Sequence, residues 1–230
     1  AGVVVAGGHL QQTAADGQSE ADYRIPKGLN LRDEIGRYFR IAQAHWADFY
    51  AAFNALKISS VSPSSSPALS SNSEAAALIS QRFVNALLRD AFGFTSLAPV
   101  APVLLADRPY PIGAAALDGR VPVLIAPVGL GLDTLAPAFG DGSRRRSAFG
   151  LLQEYLNAAE GSLWGLGCDG LTLRIARDNA SLTRPAWIEA DLARIFTESR
   201  FADFTALWLL CHESRFGRAD QPVSECALEA

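Results

Sequence analysis

The chain has 230 residues, 49% of them apolar and 19% charged, with a net charge of −4. This is an ordinary globular balance, enough for a real core in one large domain or two small ones. Negative net charge argues against attraction of nucleic acid to the whole surface but allows a local basic patch. No window has the apolar run needed to cross a bilayer.

The first residues, AGVVVAGGHLQQ, lack the basic start of a signal peptide. Cys168, Cys211 and Cys226 are far apart and odd in number, which points to a reduced, cytoplasmic setting. No methionine is present, so the chain reads as a fragment or a processed product. Basic residues are almost all arginine; the lysines are Lys27 and Lys57.

In chain order, residues 1–28 read as an arm or an incomplete element. Residues 30–57 predict a long helix, with Asn30 as N-cap, Asp33 and Glu34 in the first turn, and a stripe of Ile35, Phe39, Ala42, Trp46, Phe49 and Phe53. Residues 58–73 are Ser/Pro-rich and read as a linker or loop. Ser73 should then cap a helix over 74–91 with Ala77, Leu78, Phe83, Leu87 and Leu88 inward and Gly93 ending it. Residues 110–117 and 121–126 predict a hairpin through Asp118-Gly119, and 127–143 a Gly/Pro-rich loop. A helix over 145–159 follows, with Ala148, Leu151, Leu152, Tyr155 and Leu156 on one face. A hairpin over 162–177 should turn at Asp169-Gly170, both with positive φ. Residues 186–190 add an edge strand. A last helix over about 200–214 should bury Phe201, Phe204, Leu207, Trp208 and Cys211.

Several of these features occur together as ordered motifs. Gln153-x-Tyr155 precedes Trp164-Gly165 and Asp169-Gly170; the run from Arg177 to Ala186 and then Ala202-Asp203-Phe204, Leu207-Trp208 and Arg215-Phe216 follow. In these motifs the chain resembles the amino-terminal region of large restriction–modification proteins with an Eco57I-like, type IIG-like adenine methyltransferase, a class used in phage defence. The resemblance covers roughly residues 20 to 217. More loosely, it is similar to the Q-x-Y…W-G…N/D-G half of restriction nuclease domains. The resemblance implies an α+β, restriction-endonuclease-like fold, with an α-β-β-β-α-β core of the PD-(D/E)xK class and added helices at both ends. The expected organisation is an arm and long helix over 1–57, a linker over 58–73, the core over 74–217 and a tail over 218–230.

Such nucleases hold Mg²⁺ between acids on adjacent strands, with a lysine two residues after the second acid. The second acid and the lysine belong near the end of the strand 121–126, where the chain has Ile125-Ala126-Pro127-Val128. Asp118 could stand for the first acid, or be a turn residue. Glu154 could be a relocated acid, or a solvated helix residue. The reading is a degenerate nuclease fold without its metal site. The alternatives are an active Mg-dependent endonuclease using Asp118 and Glu154, and a pure protein-interaction scaffold. Gln153 matches the glutamine that in active nucleases supports DNA or the active-site shell; two residues from core Tyr155, it should be the more exposed of the pair.

Methyltransferase chemistry needs a cofactor loop and an Asn-Pro-Pro-Tyr-like motif for a flipped base. No Asn-Pro dipeptide occurs, and Val128-Gly129-Leu130-Gly131-Leu132-Asp133 is a weak Gly-x-Gly match. The resemblance therefore implies no cofactor held in this segment; S-adenosylmethionine, carried by a downstream methyltransferase domain, and any Mg²⁺ belong to the parent protein. His9, His45 and His212 lack zinc spacing, and neither a Gly-x-Ser-x-Gly elbow nor a nucleotide-binding Walker loop is present.

The best binding candidate is Arg144-Arg145-Arg146. Arginines at a helix amino terminus oppose the helix dipole, so their placement there suggests a phosphate partner, with a solvated basic turn paired with Asp141 or Glu154 as the plain alternative. Arg174 and Arg177 could widen the patch, or mark the wet face of their strand. Duplex DNA is thus the expected partner of Arg144, Arg145, Arg146, Gln153, Arg174 and Arg177.

Overall fold

The computed structural model describes residues 20–61, 68–141, 144–178, 186–218 and 220–229. The first long element is α1 (Leu31–Val61). Asn30 opens it, its side-chain oxygen accepting from the Arg32 and Asp33 amides at 2.8 and 3.3 Å. The predicted stripe of Ile35, Phe39, Ala42, Trp46, Phe49 and Phe53 is buried throughout. The next helix, α2 (Ala68–Ala86), ends in a single π-helical turn over Leu87–Ala91. It begins earlier than expected, so Ser73 lies inside it rather than capping it. Helix therefore covers 58–61 and 68–73 of the supposed linker; residues 62–67 lie outside the described residues. The sequence places Pro67 directly before α2, where its fixed φ suits a helix entrance. Phe83, Leu87 and Leu88 are buried as expected, but Leu78 is exposed.

Six strands form a mixed sheet, which with the helices gives an α+β fold. In chain order they are β1 (Ala98–Pro99), β4 (Ala114–Ala116), β5 (Val121–Ile125), β8 (Trp164–Cys168), β9 (Thr172–Arg177) and β10 (Ala186–Asp191). They also stand in this order across the sheet. All neighbours are antiparallel except β5 and β8, which run parallel with Val123 opposite Leu166. Helix α3 (Ala148–Ala158) makes the crossover that a parallel pair requires. Two small hairpins lie beside the sheet: β2 (Val103–Leu105) with β3 (Arg108–Tyr110), and β6 (Ala136–Asp141) with β7 (Arg144–Arg146). The predicted loop over 127–143 thus contains a strand. Arg144, Arg145 and Arg146 are extended rather than helical, and α3 starts behind them, capped by the Ser147 hydroxyl accepting from the Gly150 amide.

The Asp169-Gly170 turn is real but shifted by one residue. Gly170 has φ +91° and Asp169 does not take positive φ. Asp169 is instead the residue before the loop, and its buried carboxylate accepts from the Leu171 and Thr172 amides at 2.9 and 2.8 Å. Glycine at the first central position is the type II′ arrangement. After β10 a short helix absent from the sequence reading, α4 (Leu192–Thr197), is capped by Asp191. The last long helix, α5 (Phe201–Cys211), buries Phe204, Leu207, Trp208 and Cys211 as expected.

Both sheet faces are covered. On one, α1, α2, α4 and α5 share an apolar cluster with Val121, Val123, Leu166, Leu173 and Ile175. Ring pairs stitch it together: Phe39 with Phe204 at 5.0 Å, Trp46 with Phe196 at 5.5 Å and Phe49 with Phe83 at 4.4 Å. The long helix is therefore a wall of the core. On the other face α3 packs with Leu124, Ala126 and Ala176. It sits so close that a Cβ at Gly165 would stand 3.0 Å from Leu152 Cδ1 and from Pro122 Cγ. The supposed tail also packs: Cys226 is buried and Leu228 lies against the first cluster.

Gly170 is constrained twice, by φ and by a Cβ position 2.5 Å from Phe49 Cζ. Gly170→Ala should cost about 2–3 kcal/mol through turn strain and displacement of a core ring. Urea denaturation measures this, and a loss below about 0.5 kcal/mol would show that Phe49 is not held in place.

Candidate functional site

At the end of β5, where a nuclease of this class would place an acid and a lysine, Ala126 and Val128 are buried apolar side chains. Ala126 donates its amide to Cys168 O at 2.9 Å, continuing the pairing with β8. Asp118 lies exposed in the β4–β5 turn, where Leu117, Asp118 and Gly119 all take positive φ. Its position there is explained by turn chemistry alone.

Glu154 is not a solvated helix residue. One carboxylate oxygen accepts from Arg144 Nη2 at 3.0 Å and the other from Arg146 Nη1 at 3.1 Å. This pairing changes the meaning of the arginine run. The guanidiniums project from β7 toward a carboxylate in the middle of α3, so an external anion is not required to explain them. Arg146 is buried, while Arg144 keeps 64% of its side chain exposed. Arg145 is exposed as well.

Arg174 and Arg177 do not widen that patch together. They are three residues apart on β9, and a strand alternates its faces every residue. Arg174 lies on the α3 face, its guanidinium carbon 4.7 Å from the Phe149 ring centre and 5.3 Å from that of Trp187. It makes paired bonds to Asp133 at 2.7 and 2.6 Å and a further bond to Glu189 at 2.6 Å. These bonds hold the Asp133 carboxyl below its usual range. On the opposite face Arg177 donates from Nε and Nη2 to the two oxygens of Glu229, each at 2.8 Å. Trp164 Nε1 donates to Glu229 Oε1 at 2.9 Å. The Arg177 hydrogen bonds hold the Glu229 carboxyl low.

Gln153 departs from expectation: it is as buried as Tyr155. Its amide nitrogen reaches Arg177 O at 3.3 Å, and its side-chain oxygen has no hydrogen-bond partner among the described residues. Helix α3 is covered on more than one side, by the sheet and by β6, so residues two apart can both be shielded.

The structure therefore brings Arg144, Arg146 and Glu154 together, places Gln153 against the backbone of Arg177, and sets Arg174 and Arg177 on opposite faces. The partners Asp133, Glu189 and Glu229 were missed by sequence reasoning. Only Glu189 had a local signal, being opposite Arg174 once β9 and β10 are paired. The Arg177–Ala186 motif run falls largely on 179–185, outside the described residues. Among the described residues, no group of three or more His, Cys, Asp or Glu side chains could hold a metal ion. No helix of the described residues is long and apolar enough to cross a membrane.

A cavity of about 330 Å³ lies between α1 and α2, lined by Phe49, Phe83, Leu78 and Ile79 with His45 and Arg82. His45 Nε2 is 2.8 Å from Asp90 Oδ2. His212, by contrast, is buried, with its ring 4.4 Å from that of Trp208 and 5.6 Å from that of Tyr23.

Comparison with known protein families, characterised proteins and solved structures finds no match to this chain.

Burial, reinforced by Arg24 and Arg215, pushes the His212 imidazole down to about 4. In the unfolded chain it titrates near its ordinary value of about 6.5. Between these values the unfolded state binds more protons, so stability falls as pH drops through that window. Acidification from pH 7.5 to 5 should remove about 2 kcal/mol through this residue. Urea denaturation at both pH values checks it against His212→Asn; an equal acid loss in the variant would assign the dependence to other groups.

Proposed function

We propose that this chain is the nuclease-like, catalytically inactive amino-terminal domain of a cytoplasmic restriction–modification DNA adenine methyltransferase. Its role is to contact duplex DNA and hold the downstream methyltransferase domain, which carries S-adenosylmethionine. The motif series and the element order support this reading. With the small hairpins β2–β3 and β6–β7 set aside, α2, β1, β4, β5, α3 and β8 run in the order helix, three sheet strands, helix, strand. The inactive character rests on the apolar end of β5 and on Glu154, which is committed to two guanidiniums.

The observation that carries DNA contact is the exposure of Arg144 and Arg145 on β7, beside the amino terminus of α3. The pairing of Arg146, Arg174 and Arg177 with internal carboxylates favours a second reading, a scaffold that makes no DNA contact.

Fluorescence anisotropy with a labelled duplex separates the two. Salt-sensitive binding is expected. Arg144→Ala with Arg145→Ala should weaken it several-fold and lower the slope of log affinity against log salt by about 2, one for each lost phosphate contact. Absence of binding at low salt would favour the scaffold. Arg194→Ala, at an exposed arginine of α4, serves as the charge-matched control.

A further inference from the structure

Residues 220–229 lie across the α1–α5 side of the sheet as a strap, and the contacts that fasten it come from cations. Arg120 Nη2 donates to Gln221 O. Arg215 Nη2 donates to Ala227 O at 3.1 Å, and Leu228 N returns a bond to Arg215 O at 3.2 Å. Arg177 and the Trp164 indole take Glu229. Three guanidiniums thus face one short segment whose only carboxylate among these contacts is that of Glu229. Two strap residues supply apolar anchorage: Cys226, which is buried, and Leu228, which packs against the core cluster.

The donor set around Glu229 has the form of an oxyanion seat. Arg177 presents two parallel N–H groups and Trp164 a third, all converging on one planar anion at 2.8 to 2.9 Å. Fork-like arginine geometry of this kind suits phosphate oxygens as well as carboxylates. We propose that Arg177, Trp164, Arg120 and Arg215 form a phosphodiester-binding surface, which the strap covers with Glu229 as its built-in occupant. A nucleic-acid phosphate then competes with Glu229, and strap and ligand exclude each other. This deepens the DNA-contacting reading and rests on it for the source of the phosphate.

The test uses the full chain and two readouts: anisotropy with a labelled duplex, and alkylation of Cys226 with the buried Cys168 and Cys211 as internal controls. Glu229→Gln should raise duplex affinity several-fold and speed Cys226 alkylation, and Arg177→Ala in the same chain should abolish the gain in affinity. The gain should persist when Arg144 and Arg145 are alanine, since the seat lies elsewhere. Faster Cys226 alkylation without any gain in anion binding would overturn the proposal and make Glu229 a plain tie. A third arm uses inorganic pyrophosphate, followed by ³¹P line broadening. Pyrophosphate binding by Glu229→Gln with no duplex binding by any variant would uphold the seat and reject nucleic acid as its ligand. Unchanged alkylation and unchanged binding in both Glu229→Gln and Glu229→Ala would also overturn it.

Discussion

A guanidinium held partly out of water on a covered sheet face is costly unless a carboxylate meets it. β9 carries two such groups, one on each face, and each draws its partner from a distant part of the chain. Arg174 takes Asp133 from the β5–β6 connection, and Arg177 takes Glu229 from the segment after α5. Arg174 keeps only 10% of its side chain exposed, and loss of both its carboxylates would leave that charge largely out of water, which costs several kcal/mol. The pairs therefore determine where two irregular segments lie. The Gly129 and Gly131 loop, with φ of +86° and +81°, is fixed at its far end by Asp133 rather than by a ligand.

The same constraint explains why a basic run in the sequence is a poor guide to a basic surface in the fold. Of the five arginines expected at a nucleic-acid face, three are turned inward or paired across the sheet, and Arg144 shares Glu154 with Arg146. A nuclease would spend this part of the fold on a metal site, with carboxylates left open to an ion. Here the carboxylate of α3 is closed by two cations, and the strand end below it is apolar. Glu154, Asp133, Glu189 and Glu229 each hold structure through an arginine.

Much of the fold was legible because periodicity reports burial directly. The α1 stripe, the inward face of α3 and the α5 face each follow helical spacing, and the Asn30 cap marks its helix start to the residue. The errors are local and share a cause. The Asp169-Gly170 turn slipped by one residue because Asp169 is buried and bonds to the backbone two and three residues on, a choice the dipeptide alone does not reveal. Ser73 looked like a cap, yet α2 begins before it, after Pro67. The start of α3 moved because Ser147 supplies the capping oxygen while Arg144–Arg146 pair with β6 as a strand. The site was less legible than the fold. Pairings across 41 and 52 residues, such as Arg174 with Asp133 and Arg177 with Glu229, leave no spacing to read.

Arginine pairs of this kind are better suited to fixing geometry than to adding stability, because desolvation offsets most of the Coulomb gain. That asymmetry distinguishes the two faces. Arg174 packs beside the edge-on pair of Phe149 and Trp187, so its cation is held by ring contacts as well as by two acids. Arg177 is more open, with 29% of its side chain exposed, and its partner belongs to a segment with few apolar anchors. Equal chemistry in unequal packing gives unequal lability. On the α3 face a buried guanidinium with two acids ties down a surface loop through the exposed Asp133, whereas on the opposite face a single acid holds a strap over a cationic surface.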